Sequence, residues 1–194
     1  MKIRRVEKIT DFRHLNLFNV EYRDKEDRDK SWIYASRKNN LSDPGRADAV
    51  VVVPFHVREE KLVIIKEFRV TLGGYQYGFP AGLVDPGETV VQAGKRELME
   101  ETGLELTRIL GQSPPVYSSS GMTDESVSLL YAECEGTPTR RFNEASEDIE
   151  VVMVSRDQAG NLIKTPDFKF DVKTWIILNS YAGNGMPGCF AVNP

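Results

Sequence analysis

Residues 96–103, RELMEETG, place three glutamates within five consecutive positions. At helical spacing Glu97, Glu100 and Glu101 repel one another by roughly 0.2–0.5 kcal/mol for each like-charged pair. Either solvent screens this repulsion on an exposed helix face, or a bound cation removes it. A site made only of oxygen ligands suits Mg²⁺ or Mn²⁺, whereas zinc more often takes His and Cys.

Flanking residues predict the helix that carries these glutamates. Thr89, followed three residues later by Gln92, fits a capping box, and Gly103 fits the residue that ends a helix in a left-handed conformation. We therefore expect a helix over about residues 90–102.

Helical periodicity places Glu97 and Glu101 on one stripe beside the apolar core face. Gly94 lies on the same stripe, and glycine costs about 1 kcal/mol relative to alanine inside a helix. We therefore expect another group to approach closely there. A Gly- and Pro-rich turn, residues 81–88, precedes the helix, and we expect its backbone to surround a cation together with the glutamates.

Apolar runs and turn residues predict an α/β sandwich with a mixed sheet. The expected strands are 47–55, 61–70, a strand that ends at Pro80, 126–134 and 148–156. A final helix is expected over 171–183, with Val172, Trp175, Ile176 and Leu178 on its apolar face. Residues 1–48 predict a small antiparallel β appendage, with strands at 17–24 and 30–38, and residues 49–194 predict the catalytic domain.

Composition restricts the classes of function. A net charge of −4 argues against a general nucleic-acid binder. No apolar run approaches the roughly 20 residues of a membrane span, so no membrane partner is expected. The N-terminus is basic but lacks an apolar signal region, and we expect a cytoplasmic protein. Cys134 and Cys189 lack the spacing of a metal site.

A longer pattern surrounds the glutamates. Its fixed positions are Gly82, Glu88, Arg96, Glu97, Leu98, Glu100, Glu101, Gly103 and Leu104. This pattern resembles the signature of the Nudix hydrolases. The resemblance implies an α/β/α sandwich and hydrolysis, dependent on Mg²⁺ or Mn²⁺, of a nucleoside diphosphate linked to another moiety.

The same resemblance implies a role for each residue of the pattern. Glu97 and Glu101 would be metal ligands, Glu100 would contribute directly or through water, and the carbonyl of Ala81 would add a backbone ligand. Arg96 and Glu88 would hold the glutamates in place.

Residues 63–88 are similar to the corresponding run in the ADP-ribose and ADP-sugar pyrophosphatases, which implies that Arg69 contacts the substrate. Residues 31–38, SWIYASRK, resemble their N-terminal segment, which implies that Trp32 stacks on adenine and that Arg37 lies near phosphate. The alternative is a Trp32 in the core and an Arg37 on the surface.

A general base is expected outside the helix, because glutamates committed to a metal are poor proton acceptors. Residues 146–159 resemble the family's loop and strand that carry a catalytic glutamate. Glu147 matches best, and Glu144 is the alternative. Ser120 stands where ADP-ribose hydrolysing members typically carry proline, which leaves the base and the sugar open. Ser120 and Gly121 are counted as candidate substrate contacts.

The predicted function is therefore hydrolysis of ADP-ribose or a related nucleotide sugar to a nucleoside monophosphate and a sugar phosphate. Alternatives are a non-catalytic nucleotide-sugar sensor, a hydrolase of GDP-mannose or UDP-sugars, and a hydrolase of oxidised nucleoside triphosphates. The complete glutamate set argues against a sensor.

A homodimer is expected because about 48 residues are too few to form a good core alone. The resemblance implies that the appendage is exchanged between subunits, so that Trp32 would complete the neighbouring subunit's site.

Overall fold

A computed structural model describes residues 1–38 and 45–184. The strands are β1 (Lys2–Lys8), β2 (Asn16–Arg23), β3 (Asp29–Ser36), β4 (Ala49–His56), β5 (Lys61–Arg69), β6 (Gly74–Gly78), β7 (Ala81–Leu83), β8 (Glu105–Gln112), β9 (Val116–Tyr117), β10 (Ser126–Glu135), β11 (Ile149–Val154) and β12 (Lys169–Phe170). The helices are α1 (Val90–Thr102), α2 (Arg156–Leu162) and α3 (Val172–Asn184), and a short 3₁₀ turn spans Val70–Leu72.

The chain forms two compact units. The first contains residues 1–48 and 114–127, and the second contains residues 49–113 and 128–194. Residues 114–127 thus group with the N-terminal region.

The first unit is built on an antiparallel sheet in the order β1-β2-β3. A charged turn joins β2 to β3, where the carboxylate of Asp24 accepts from the backbone N–H groups of Glu26 and Arg28 at 2.9 and 3.0 Å. The predicted hairpin is confirmed, and β1 is a third strand that we did not predict. Residues 122 and 123 run along the free side of β3, where the N–H of Ala35 donates to the carbonyl of Met122 at 2.8 Å.

The second unit contains a mixed sheet in the order β12-β6-β5-β4-β10-β8, with β11 also paired to β5 and β7 to β4. In β5, the consecutive residues 62–65 are all buried, so both faces of the strand are covered. Val63 packs in one cluster with Ala93 and Leu98 of α1. Leu62 lies on the other face, where its backbone contacts Tyr181 of α3. The predicted α/β/α sandwich is confirmed.

Helix α3 has the predicted position but not the predicted orientation. Val172, Trp175 and Ile176 are exposed, and of the four apolar residues that we assigned to the buried face, Leu178 alone is buried. Apolar residues occupy two stripes of this helix, so periodicity could not choose between them. Leu178 belongs to the buried stripe, which also holds Thr174, Ile177 and Tyr181. Among the described residues, no helix is long and apolar enough to cross a membrane.

The close approach predicted at Gly94 exists, but its partner is the sheet and not a metal site. A Cβ atom at Gly94 would lie 2.5 Å from Cδ2 of Leu130 and 3.3 Å from Cγ2 of Val52. Both of these side chains are fully buried. Gly94 therefore makes room for β4 and β10, on the same buried face of α1 as Glu97 and Glu101.

Gly94→Ala should destabilise the protein, although alanine is the better helix former. The added methyl overpacks a closed core, which typically costs about 1–3 kcal/mol and outweighs a helix gain of about 1 kcal/mol. Gly160→Ala in α2 is the matched control. Its Cβ would meet Ala182 at an ordinary 3.5 Å, so it should stabilise the protein. Urea unfolding measures the free energy of unfolding of both variants. An equal increase in that free energy for the two substitutions would contradict the packing argument.

Candidate active site

Local signals fix helix α1 at the predicted residues. The hydroxyl of Thr89 accepts from the N–H of Gln92 at 3.2 Å, and the Gln92 side chain accepts from the N–H of Thr89 at 2.8 Å. At the other end, Gly103 has φ 71° and its N–H donates to the carbonyl of Met99 at 2.8 Å. The capping box and the C-terminal glycine are confirmed, and together they fix where the helix begins and ends.

Two of the three glutamates are turned into the protein. Glu97 is 8% exposed and Glu101 is 4% exposed, so they belong to the face of α1 that covers the sheet. The side chain of Glu100 is 45% exposed. Solvent screening of an exposed helix face therefore does not account for Glu97 and Glu101.

Gly82 makes room for the first of these carboxylates. A Cβ atom at Gly82 would lie 1.8 Å from Oε1 of Glu97, so any side chain here would displace that carboxylate. The neighbouring Ala81 donates its N–H to Oε2 of Glu101 at 3.2 Å. The turn before the helix thus approaches both carboxylates, as expected. A ligand role for the carbonyl of Ala81 stays a prediction.

Arg96, in the middle of α1, forms hydrogen bonds with three carboxylates. Its guanidinium donates to Glu88 at 3.0 and 3.2 Å, to Glu97 at 2.6 Å and to Glu100 at 3.2 Å. A further bond of 3.0 Å to the carbonyl of Leu83 fixes the same side chain to the preceding turn. Arg96 and Glu88 therefore form a bonded frame that restrains Glu97.

Burial raises the pKa of Glu97, although its bond with Arg96 acts in the opposite direction. Burial also raises the pKa of Glu101 well above its usual range, and repulsion by Glu97, Glu67 and Glu147 adds to that rise. The N–H of Ala81 is the contact that opposes it. The carboxylates of Glu67, Glu97, Glu101 and Glu147 thus repel one another in one region. Among the described residues, no cationic side chain is bonded to Glu101.

This donor set fits a hard divalent cation, because the acidic groups offer oxygen atoms alone and their mutual repulsion needs a positive charge to offset it. Within residues 1–38 and 45–184, no three acidic, His or Cys side chains lie close enough together to hold a metal ion as they are arranged. Oε1 of Glu97 is engaged by Arg96 instead.

The loop of residues 136–148 carries both candidate bases. The N–H of Glu144 donates to Oε2 of Glu147 at 2.8 Å, and the N–H of Glu147 donates to the carbonyl of Glu144 at 3.0 Å. Glu144 is exposed and Glu147 is partly buried. Glu147 also contributes to the raised pKa values of Glu97 and Glu101, which places its charge near the glutamates of α1.

Both ends of this loop are attached to the framework. Near its start, the N–H of Thr139 donates to the carbonyl of Thr102 at 2.9 Å, at the end of α1. A Cβ atom at Gly103 would lie 2.2 Å from Cγ2 of Thr139. At the loop's other end, the hydroxyl of Tyr75 donates to Asp148 at 2.5 Å.

Arg69 lies at the end of β5 and forms a 2.8 Å ion pair with Glu67. Sequence reasoning identified Arg69 but missed Glu67. The alternation of β5 could have found it, because Val63, Ile65 and Glu67 share one strand face and the first two are buried. A carboxylate in line with core residues is a strong sign of a functional position.

The remaining candidates, Trp32, Arg37, Ser120 and Gly121, all lie in the first unit. The indole N–H of Trp32 donates to the carbonyl of Gly121 at 3.1 Å, so those two residues are brought together. Arg37 bonds Glu125 at 3.1 Å, and Ser120 is exposed. Trp32 is exposed too, which argues against a place in the core.

Glu101→Gln should raise the melting temperature of the protein in EDTA. The pKa of Glu101 is higher in the folded than in the unfolded state, so the folded protein is most stable when this carboxyl is protonated. That stability is fully present below the unfolded pKa and is lost as the pH rises through the folded pKa. The advantage of the variant should thus grow as the pH rises above about 5. Each kcal/mol of relief raises the melting temperature by roughly 2–4 °C in a chain of this size.

Glu100→Gln is the matched control for this measurement, because its carboxylate is exposed on the same helix. Calorimetric scans of the two variants and the wild type test the expectation. A Glu101→Gln protein that melts below the wild type at about pH 8 would contradict the electrostatic account.

The chain is similar to known proteins over the segment that contains this site. The NUDIX domain model matches residues 45–176. The chain is 32% identical to the ADP compounds hydrolase NudE of Escherichia coli, over 69% of this chain and 74% of that protein. It is 28% identical to an ADP-ribose pyrophosphatase of Saccharomyces cerevisiae, over 70% of this chain and 59% of that protein. It is 33% identical to a putative nudix hydrolase 2 of Caenorhabditis elegans, over 57% of this chain and 52% of that protein.

The chain thus spans little more than half the length of the worm and yeast relatives. A crystal structure of an ADP compounds hydrolase covers 93% of this chain and 92% of its own with a TM-score of 0.71, and at 22% identity it shows the fold alone. Since the NUDIX model matches more than half of the residues, over the segment that contains β4, α1 and the loop of Glu147, the chain belongs to the Nudix family.

Proposed function

We propose that this protein hydrolyses the diphosphate of ADP-ribose or a related nucleotide sugar, with a divalent cation, to a nucleoside monophosphate and a sugar phosphate. The observation that carries the proposal is the burial of Glu97 and Glu101 against the sheet, in the middle of the Nudix motif. The relatives named as ADP-ribose pyrophosphatases and as an ADP compounds hydrolase support this substrate class.

Glu97, Glu101 and Glu100 would hold Mg²⁺ or Mn²⁺, together with the carbonyl of Ala81. When bound, the cation would neutralise charge on the diphosphate and acidify the attacking water. Arg96 has a separate task in this scheme, because its bonds to Glu88 and Leu83 fix the guanidinium that orients Glu97.

Glu147 is the proposed general base. Its charge lies near Glu97 and Glu101, and its backbone belongs to a loop that β11 fixes immediately afterwards. Glu144 shares that loop but is exposed, so it is the second choice. Asp148 has another role, since its carboxylate accepts the hydroxyl of Tyr75 and its carbonyl accepts the N–H of Phe68.

Arg69 is proposed to contact the phosphates, and Trp32 to stack on the base. The stacking proposal is supported by the exposed ring of Trp32, which the carbonyl of Gly121 fixes at its N–H. Stacking on an aromatic ring contributes about 1–3 kcal/mol per base in comparable sites. Arg37 and Ser120 are proposed as further contacts on the same unit.

A homodimer through the first unit is part of the proposal. Strand register aligns Val6, Val20 and Trp32 in one row across the three strands, and Trp32 is exposed in that row. A second copy is the partner that would cover this apolar row. A cytoplasmic location remains our expectation from the sequence.

A substrate panel tests the reaction. In MgCl₂ the protein should release AMP from ADP-ribose, and EDTA should abolish the release. GDP-mannose, UDP-glucose and an oxidised nucleoside triphosphate complete the panel, with the nucleotide products separated by chromatography. Glu101→Gln should lose activity by orders of magnitude while it remains folded. Binding of ADP-ribose without any Mg²⁺-dependent product would contradict hydrolysis and favour a sensor.

Removal of the proposed base should separate the two loop glutamates. Glu147→Gln should lower kcat by about 10²–10⁴-fold, because general base catalysis contributes that much, and should leave KM nearly unchanged. Glu144→Gln is the matched control in the same loop and should remain active. Steady-state kinetics at saturating MgCl₂ measure both. The base is Glu144 if the two outcomes are reversed, and neither residue is the base if both variants are active.

A further inference from the structure

The backbone of Glu67 is paired with a neighbouring strand on each side. It lies in β5, where register pairs it with Gln76 of β6 on one side and with Ile149 of β11 on the other. Hydrogen-bonded neighbours on both sides fix its Cα, and the alternation of the strand fixes the direction of its side chain. That direction is the face of Val63, which packs against Ala93 and Leu98 of α1.

The ion pair of Glu67 with Arg69 has one fixed end and one accessible end. The carboxylate side chain is 17% exposed, whereas the Arg69 side chain is 50% exposed, with 2.8 Å between Oε1 and Nη1. The guanidinium has five N–H donors, and this contact engages Nη1. The guanidinium of Arg69 is therefore accessible to solvent, while its partner Glu67 is held in place by the pairing of β5 with β6 and β11.

A second ion pair on the same strand differs from this one. Lys66 lies on the opposite face of β5 and pairs with Glu150 of β11 at a longer 3.6 Å. Both of its side chains are more exposed than Glu67. An exposed pair of this kind contributes little, so it provides an internal reference for the Glu67 pair.

We propose that Glu67 is a positioning residue, which holds the guanidinium of Arg69 ready to receive a phosphate of the nucleotide-sugar substrate. A long arginine side chain loses rotamer entropy when a ligand fixes it, and a pre-formed ion pair removes that loss from the binding step. The substrate part of this inference rests on the proposed function. The ordering of Arg69 by Glu67 does not.

Kinetics of a double-mutant cycle test the substrate part. With ADP-ribose at saturating MgCl₂, Glu67→Ala should raise KM by about tenfold and leave kcat within about twofold. Glu67→Gln keeps an acceptor of the same size and should recover most of the loss. In a background of Arg69→Ala, removal of Glu67 should have no further effect on KM. Glu150→Ala is the matched control and should leave both constants unchanged.

Two kinetic outcomes would overturn the inference. One is an additive effect of the Glu67 and Arg69 substitutions, because residues that act through one another do not add. The other is a Glu67→Ala variant whose defect is removed by more Mg²⁺ and not by more substrate, which would make Glu67 part of the metal site.

The ordering of Arg69 can be measured without any substrate. Its side-chain Nε–H resonance is identified in ¹⁵N spectra by its loss in Arg69→Ala, and the heteronuclear NOE reports its mobility. The NOE should be high in the wild type and in Glu67→Gln, and should fall in Glu67→Ala. An Arg69 equally mobile in all three proteins would overturn the positioning role. If the substrate panel fails, this measurement still decides it.

Discussion

The main constraint on this structure is that the contact between α1 and the sheet must accommodate two buried, like-charged side chains. Glu97 and Glu101 are nearly inaccessible, and desolvation raises the pKa of both. Such a placement persists only where the rest of the fold is stable enough to enforce it. The apolar residues of the same helix, Ala93 and Leu98, supply that stability because they are completely buried in the main core cluster.

Glycines set how deeply these carboxylates lie, and they act from two sides. Gly94 lets the helix backbone settle against Leu130 and Val52 of the sheet. Gly82 lets the preceding turn approach Glu97. A side chain at Gly94 would disturb the packing of the helix on the sheet, and one at Gly82 would displace the carboxylate of Glu97. The packing of α1 on the sheet therefore determines the geometry of the site as well.

Local sequence signals predicted much of this arrangement. The capping box and Gly103 gave the bounds of α1 correctly, because caps are satisfied by residues three or four positions away. Helix α2 was missed although Ser155 and Gln158 form a second capping box, since the preceding strand was extended past Ser155 to residue 156. The orientation of α3 depends on which face of the helix the sheet covers, and that is decided by residues distant in sequence.

Gly103 has a consequence beyond ending the helix. Its left-handed backbone stops α1, and the same missing side chain leaves space for Thr139, whose N–H caps the carbonyl of Thr102. The end of the Nudix motif is thus also the point at which the loop of Glu147 is attached to α1. Fraying of the last helical turn would loosen that fastening, so the proposed metal ligands and the proposed base would lose their alignment together.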